Sequence, residues 1–161
     1  MEPVIEKILQ KYFNKPAKCL DLGAGDFDDV NNLKEIDWFA EGVDLKTGND
    51  LNTIYRSENA PFDFVMSNFV LHFLDNQEQL IKTAWDNLKE GGIFLFQDLE
   101  KQDITGNEYL TVEDAKKLIS RNGFQILSSK KYDYFDDKEG HKHWHVIVEI
   151  VAKKLNKETS C

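Results

Sequence analysis

The sequence has few of the features that mark secreted, membrane or nucleic-acid-binding proteins. Its only two cysteines, Cys19 and Cys161, exclude a disulfide framework. The longest apolar stretch, 64–74, is too short and too polar for a membrane span, and the first residues do not resemble a secretion signal. Acidic residues outnumber basic ones by 29 to 20, and the net charge of -9 opposes binding to nucleic-acid phosphates or anionic lipids. We therefore expect a soluble, cytoplasmic protein with no nucleic-acid or membrane partner.

The composition that is present is that of a folded globular protein. Hydrophobic residues make up 41% and aromatic residues 12% of the 161 positions, which is enough for a substantial core. This length suits one domain. We expect a single domain over 1–161, with an N-terminal helix in 1–14, a core over 15–154 and a frayed tail over 155–161.

Short apolar runs alternate with helical stripes through the first two thirds of the chain. The runs predict strands at 18–22, 38–43, 62–67 and 93–99, with a short strand candidate near 50–54. The stripes predict helices at 3–13, at 27–34, from an N-cap at Asp75 to Gly91–Gly92, and from Thr111 to Gly123. The last two strands, 124–134 and 143–154, are joined by a turn, so the final strand runs antiparallel. This order predicts an open α/β fold with helices on both faces of a mostly parallel sheet.

The strongest local motif is the run Asp21-Leu-Gly-Ala-Gly-Asp26, between a predicted strand and a predicted helix. Its two glycines allow a tight turn and close approach of a ligand to the backbone. Asp44 ends the next strand about 20 residues later, a spacing that suits a carboxylate accepting both hydroxyls of a ribose. The pattern favours a nucleoside site over the alternative, an ordinary strand-to-helix turn.

The motif also limits which nucleoside cofactor fits. Asp28 stands where a dinucleotide site has its third small residue, and Asp26 and Asp29 add negative charge where a pyrophosphate would lie. A phosphate-binding loop with a Gly-Lys-Ser or Gly-Lys-Thr sequence is also absent. A cofactor without phosphate and with positive charge fits best, which leaves a nucleotide-dependent oxidoreductase as the less favoured alternative.

With these motifs the sequence resembles class I S-adenosylmethionine-dependent methyltransferases. Within that family it resembles a small member of the type 11/12-like kind. The resemblance spans about 17–154 and is carried by the glycine loop, by Gly42-Val43-Asp44, and by the runs 61–74 and 88–96. The end of the chain, 141–154, is weakly similar to the tellurite-resistance-like branch. The resemblance implies a Rossmann-like doubly wound fold, S-adenosylmethionine as cofactor, S-adenosylhomocysteine as product, and methyl transfer to an acceptor.

The resemblance also implies a set of cofactor-binding residues. Asp21, Gly23, Ala24 and Gly25 would lie at the methionine end, Asp44 and Leu45 at the ribose, Asp50 at the adenine, and Ser67, Asn68 and Phe69 beside the methyl group. One departure concerns the segment 45–49, because family members usually place a full helix between the two acids that it separates. The adenine wall is therefore trimmed, and a role for Asp50 as a turn residue is an equal alternative.

The histidines are the candidate catalytic residues. His141, His143 and His145 alternate, so on a strand they share a face, and the topology brings them to the ligand-bearing end of the sheet. They could form a polar rim or, with nearby acids, a metal site, but the strand spacing disfavours three ligands on one ion, and we predict no metal. We expect His143, His145 and His72 to orient the acceptor or remove its proton.

The sequence also narrows the acceptor. Ser67-Asn68-Phe69-Val70 stands where the family has Asn-Pro-Pro-Tyr for transfer to amide or adenine nitrogen, which argues against that acceptor class. A small lid and a negative charge favour a small-molecule acceptor, and a homodimer or a partner protein is compatible with the sequence. The main alternative to an enzyme is a catalytically silent member of the fold that acts as a binding or activating subunit.

Overall fold

The computed structural model describes residues 1–101, 103, 109–137, 140 and 142–156. Within these residues the helices are α1 (Pro3–Tyr12), α2 (Asp28–Glu35), α3 (Gln77–Asn87) and α4 (Val112–Ser120), with short 3-10 helices at Leu45–Thr47 and Leu71–Phe73. The strands are β1 (Lys18–Leu22), β2 (Phe39–Val43), β3 (Phe62–Asn68), β4 (Leu88–Leu99), β5 (Phe124–Asp136) and β6 (His143–Lys154). Over the part of the chain that is described, no helix is long and apolar enough to cross a membrane.

The six strands form one sheet in the order β2-β1-β3-β4-β6-β5. The strands from β1 to β4 pair in parallel, and β6 runs antiparallel between β4 and β5. This topology confirms the predicted fold class, including the antiparallel final strand. The connection from β5 to β6 lies at the same edge as the carboxyl ends of the parallel strands, where open α/β sheets bind ligands.

Helices cover both faces of the sheet. On one face α1 and α2 pack their apolar stripes against β1, β3 and β4, and Ile5, Ile8, Val30 and Leu33 are buried there. On the opposite face α3 packs against β3 and β4, and α4 packs against β5 and β6, with Leu80, Ile81, Ala115 and Ile119 buried. Successive side chains along a strand point to opposite faces, so each central strand contributes residues to both layers of the core.

The segment 50–54 forms a turn, so the strand predicted there is wrong. Asp50 Oδ1 accepts a hydrogen bond from the Asn52 backbone N–H at 2.9 Å, and Thr53 closes the turn on the Asp50 carbonyl. The chain that follows is attached to the sheet by side chains, because Glu41 of β2 accepts hydrogen bonds from Tyr55, among others. Side-chain hydrogen bonds to β2 thus replace the backbone ladder that another strand would have formed.

The predicted limits of α3 are also wrong at both ends. The N-cap is Asn76 rather than Asp75, and the helix ends at Asn87, well before Gly91–Gly92. At this end Lys154 of β6 donates hydrogen bonds from Nζ to the carbonyl oxygens of Trp85 and Leu88, both at 2.7 Å. A lysine from another strand therefore satisfies carbonyls that the sequence pattern had assigned to a glycine cap.

The remaining predicted helices and strands are confirmed, with ends that shift by a residue or two, except that β4 begins at Leu88 instead of 93. Most of the predicted frayed tail, 157–161, lies outside the described residues, as does Cys161. The same is true of 102 and 104–108 in the predicted polar loop, and of His141.

Candidate functional site

The glycine loop connects the ends of β1 and β2. The backbone N–H groups of Gly23 and Ala24 both donate to the Val43 carbonyl, at 2.8 and 2.9 Å. Gly23 has a φ of +83°, and a Cβ there would lie 2.3 Å from a methyl group of Val70. Gly25 has a φ of +58° and open space where its Cβ would be. Both positions therefore require glycine, the first for packing and conformation, and the second because of its left-handed backbone.

Asp44 is fixed beside this loop by backbone groups. Its Oδ2 accepts from the Gly25 N–H at 2.9 Å, and its Oδ1 accepts from the Lys46 N–H at 3.0 Å. These hydrogen bonds, led by that of Lys46, hold the pKa of Asp44 below its usual value, so the carboxylate stays ionised. Each oxygen retains a lone pair, which leaves the carboxylate able to accept from two neighbouring hydroxyl groups.

Asp21, at the end of β1, is a buried carboxyl with no hydrogen-bond donor among the described residues. Asp21 is only 4% exposed. Burial, reinforced by the charges of Asp29 and Asp44, raises its pKa to about 7. A buried acid of this kind is costly to ionise alone, and a nearby cation would stabilise its charged form.

The end of β3 contributes further unpartnered polar atoms to the same edge of the sheet. Ser67 Oγ and Asn68 Oδ1 are buried and have no hydrogen-bond partner within the described part of the chain. The next residue, Phe69, has a φ of +62°, a strained conformation for an aromatic residue. Buried polar atoms without partners are uncommon in proteins and fit a site that a polar ligand completes.

The structure brings Asp21, Gly23, Gly25 and Asp44 together at the carboxyl ends of the neighbouring strands β1 and β2, but it assigns local structural contacts to Asp50. Asp50 is exposed and caps its own turn, the alternative that the sequence left open. Leu45 directly follows Asp44 and is 73% exposed, so it is available as a side wall. The adenine-binding role of Asp50 stays a prediction.

A cavity of about 840 Å³ lies beside Phe69, the residue that follows β3. It lies between α1 and one face of β4, β5 and β6, and is lined mainly by apolar and aromatic side chains. Its walls include Ile8 and Tyr12 of α1, Phe69, His72 and Phe73 after β3, Gln97 and Leu99 of β4, Lys130, Tyr132 and Tyr134 of β5, and His145, Ile147 and Glu149 of β6. This volume is typical of small-molecule sites.

His72 is held at the wall of this cavity by Asp98. Its ring nitrogen Nδ1 lies 2.5 Å from Asp98 Oδ1, and its backbone N–H donates to Asp98 Oδ2 at 3.0 Å. Asp98 is buried, and the histidine side chain is 12% exposed. The contact to Nδ1 leaves Nε2 as the ring nitrogen that can exchange a proton with a ligand.

His145 and His143 lie at the ligand-bearing end, as the sequence predicted. Their rings are 4.3 Å apart between centroids, and only His145 lines the cavity. His145 Nδ1 lies 2.9 Å from Asp103, and its Nε2 lies 3.7 Å from Asp136. Both ring nitrogens therefore face carboxylates of the protein. Among the described residues, which omit His141 and Glu139, no group of three or more acidic, histidine or cysteine side chains could hold a metal ion.

A second polar network lies on the sheet face of the cavity. Gln97 Nε2 donates to the Tyr132 hydroxyl at 2.8 Å and to Glu149 Oε1 at 3.2 Å, and Lys130 Nζ lies 3.2 Å from Glu149 Oε2. Burial, with the charge of Glu149, raises the pKa of Tyr132 to about 12, so the phenol stays protonated. These four side chains thus fix one another's orientation.

Sequence reasoning missed Asp98, Gln97 and Glu149 as functional candidates. Each lies in a strand that consists mainly of apolar residues. The histidine that contacts Asp98 is 26 positions away in the chain. Gln97 and Asp98 do interrupt the buried run 93–96 with two consecutive polar residues near the carboxyl end of a strand. Such an interruption is the signal that could have identified them.

The α/β fold, the glycine loop and the ionised carboxylate of Asp44 together form the kind of site that the sequence predicted at the carboxyl ends of β1 and β2. Residues 1–149 match the family described as a methyltransferase domain, and the chain belongs to that family. The match confirms the resemblance to class I S-adenosylmethionine-dependent methyltransferases.

Individual relatives agree with this assignment. The chain is 24% identical over 164 residues to a carboxy-S-adenosyl-L-methionine synthase of Campylobacter curvus, covering 89% of the chain and 63% of the relative's length. The fold is similar to that of TehB from Haemophilus influenzae, with a TM-score of 0.74 at 16% identity, over 96% of this chain and 62% of the other. It is also similar to a Burkholderia thailandensis 1,6-didemethyltoxoflavin-N1-methyltransferase with bound S-adenosylhomocysteine, with a TM-score of 0.71 at 20% identity, over 96% and 78% of the two chains.

Proposed function

We propose that this protein transfers a methyl group from S-adenosylmethionine to a small-molecule acceptor in the cavity beside Phe69. The observation that carries the proposal is Asp21, a buried carboxyl that has no hydrogen-bond donor among the described residues and lies at the start of the glycine loop. A ligand that brings a positive charge and a ribose suits Asp21 and Asp44, and S-adenosylmethionine has both.

The cofactor would be held by three groups of this chain. Asp21 would pair with its ammonium group, Asp44 would accept from its ribose hydroxyls, and Ser67 with Asn68 would supply polar contacts near the sulfur. When bound, S-adenosylmethionine supplies an activated methyl group, so the protein needs no nucleophile of its own. The chain's task is to bind and align an acceptor and to manage its proton.

His72 is the best candidate for that proton among the three histidines. It lines the cavity three residues after Phe69 in the chain, and its Nδ1 contacts Asp98. In this arrangement Nε2 accepts the proton that an acceptor hydroxyl or amine loses, and later releases it to solvent. His145 suits this task less well because carboxylates face both of its ring nitrogens.

The binding test is thermal unfolding with S-adenosylhomocysteine, with NADH in parallel. At a concentration 100 times its dissociation constant, a ligand of the native state adds about 2.7 kcal/mol to the free energy of unfolding. We expect S-adenosylhomocysteine alone to raise the unfolding temperature. A rise with NADH alone would instead support the oxidoreductase alternative.

Turnover is the second arm of the test. Incubation with S-adenosylmethionine and a panel of small acceptors, followed by mass spectrometry, should show an acceptor heavier by one methyl group. Tight S-adenosylhomocysteine binding with no methylated product across a broad panel would favour the silent binding subunit. A carboxylated cofactor in the same spectra would point to the chemistry named for the Campylobacter relative.

A further inference from the structure

The cavity has a polar feature that the proposed reaction does not use. Gln97 is 4% exposed, and both hydrogens of its Nε2 are engaged, one by Tyr132 and one by Glu149. Its Oε1 receives no hydrogen bond from any residue that the structure describes, and Gln97 lines the cavity. This oxygen faces the cavity, where water can bond to it in the free protein, and a ligand that displaces that water without replacing its hydrogen bond loses affinity.

The orientation of this amide is fixed by charge. Rotation of the amide by half a turn would bring Oε1 against the Glu149 carboxylate, which now accepts from Nε2, so that two acceptors would face each other. Lys130 fixes Glu149 in turn through its contact at 3.2 Å. The cavity therefore presents a hydrogen-bond acceptor at this point and cannot easily present a donor.

The surrounding walls favour a flat ring. Five aromatic side chains line the cavity, namely Tyr12, Phe69, Phe73, Tyr132 and Tyr134. They come from α1, from the segment after β3 and from β5, so aromatic surface faces the cavity from more than one side. Aromatic side chains favour stacked or edge-to-face contacts with another ring.

We propose that the acceptor is an aromatic or heteroaromatic molecule that donates an N–H or O–H hydrogen bond to Gln97 Oε1. This inference rests on the proposed function, because only a methyltransferase has a methyl acceptor. The predicted hydrogen bond to Gln97 can be tested by binding alone, without turnover. Gln97 is then a specificity-determining residue: a ring of the same shape that lacks the donor leaves Oε1 unsatisfied and binds more weakly.

Indole and benzofuran provide the test, because they have nearly the same shape and differ in having N–H or O at one ring position. Each is titrated into ¹⁵N-labelled protein with and without S-adenosylhomocysteine, and dissociation constants are taken from the shifts of backbone amides in 97–99 and 145–149. We expect indole to bind about three- to tenfold more tightly, the effect of one hydrogen bond. Gln97→Met, which keeps the side-chain length, should bring the ratio close to one.

Two further variants make the result decisive. Ser129→Ala, on β5 but outside the cavity wall, should retain the preference for indole. Tyr132→Phe removes one of the groups that hold the amide, so it should reduce the preference even if Gln97→Met unfolds. Equal affinities in the wild type, a preference that survives both Gln97→Met and Tyr132→Phe, or shifts confined to residues away from the cavity would overturn the proposal. A failure of S-adenosylhomocysteine to bind, by contrast, would count against the proposed function and leave the indole ratio meaningful.

Discussion

Asp98 holds His72 through two different groups, the ring nitrogen Nδ1 and the backbone N–H. One carboxylate thus fixes both the position of the residue and the rotation of its ring. Because the contacts come from β4 and the histidine follows β3, the arrangement depends on the pairing of these two strands rather than on a local motif.

The tautomer of His72 follows from this contact. With Asp98 as the acceptor, the neutral ring should carry its proton on Nδ1 and leave Nε2 free. Two-bond ¹H–¹⁵N correlation spectra of labelled histidine distinguish the two tautomers directly. Asp98→Asn should weaken the preference for the Nδ1 proton, whereas the signals of His145, which contacts Asp103, should stay unchanged. A wild-type His72 with its proton on Nε2 would remove it as the proton acceptor.

Cofactor binding should release a proton near neutral pH. Asp21 in the free protein has a pKa of about 7, and an ammonium group beside it would lower that value. Below about pH 7 the free protein is mostly protonated at Asp21 and the complex is ionised, so affinity for S-adenosylhomocysteine should rise as the pH approaches 7 from below. Calorimetry in two buffers of different ionisation enthalpy measures the released proton. Asp21→Asn should abolish the release, and an unchanged release in that variant would place the proton elsewhere.

The same acid should lower the stability of the free protein at higher pH. Its pKa is raised from 3.8 to about 7, so the native state binds more protons than the unfolded state between these values, and stability falls as the pH rises through them. At about 1.4 kcal/mol for each pKa unit, the loss over this whole range is on the order of 4 kcal/mol. Urea unfolding of wild type and Asp21→Asn at pH 5 and pH 8 tests this. The variant should lose less stability between the two pH values.

Asp44→Ala should weaken S-adenosylhomocysteine binding by about 1–3 kcal/mol, since the ribose hydroxyls would lose a charged acceptor. Isothermal titration calorimetry measures the change. Asp50→Ala is the matched control, because Asp50 is also an exposed-loop aspartate but contacts its own turn. Similar losses in both variants would restore Asp50 to the cofactor site, and no loss in Asp44→Ala would exclude Asp44 from it.

Lys154→Met should destabilise the fold by about 1–3 kcal/mol, because the carbonyl groups of Trp85 and Leu88 would lose their buried donor. The ammonium group also lies 3.7 Å from the centre of the Trp85 ring, a cation–π contact that the variant would lose. Lys153→Met is the control, since Lys153 is the exposed neighbour on the same strand. Chemical denaturation should separate the two variants, and equal midpoints would show that the carbonyls find other partners.

The sequence carried enough information for the sheet and for the glycine loop, because both depend on local pattern. Buried runs such as 18–22 and 62–67 have one plausible conformation, and glycines at Gly23 and Gly25 mark a turn with positive φ. The end of α3 could not be predicted in this way. Lys154, which satisfies the helix carbonyls, is 66 residues from Leu88 in the chain, and no local signal announces it.

The same distinction between local pattern and tertiary contact applies to the residues of the candidate site. Asp21 and Asp44 were predicted because each ends a strand and follows a recognised spacing. The contacts of Gln97 and Asp98 were not, because they depend on which strands become neighbours in space. Local spacing identified the residues of the proposed cofactor site, and only tertiary structure defined the cavity beside Phe69.

The position of β6 in the sheet has a consequence for how the chain assembles. The strand later in sequence is inserted between β4 and β5, so β5 has no partner in the sheet, and β4 has only β3, until 143–154 has been synthesised. During translation, α4 and β5 are therefore synthesised before the sheet can be completed. Until then β4 is the open edge of the sheet, an apolar strand able to pair with other chains. Completion of the sheet and formation of the cavity floor, to which Glu149 belongs, are therefore one late event in folding.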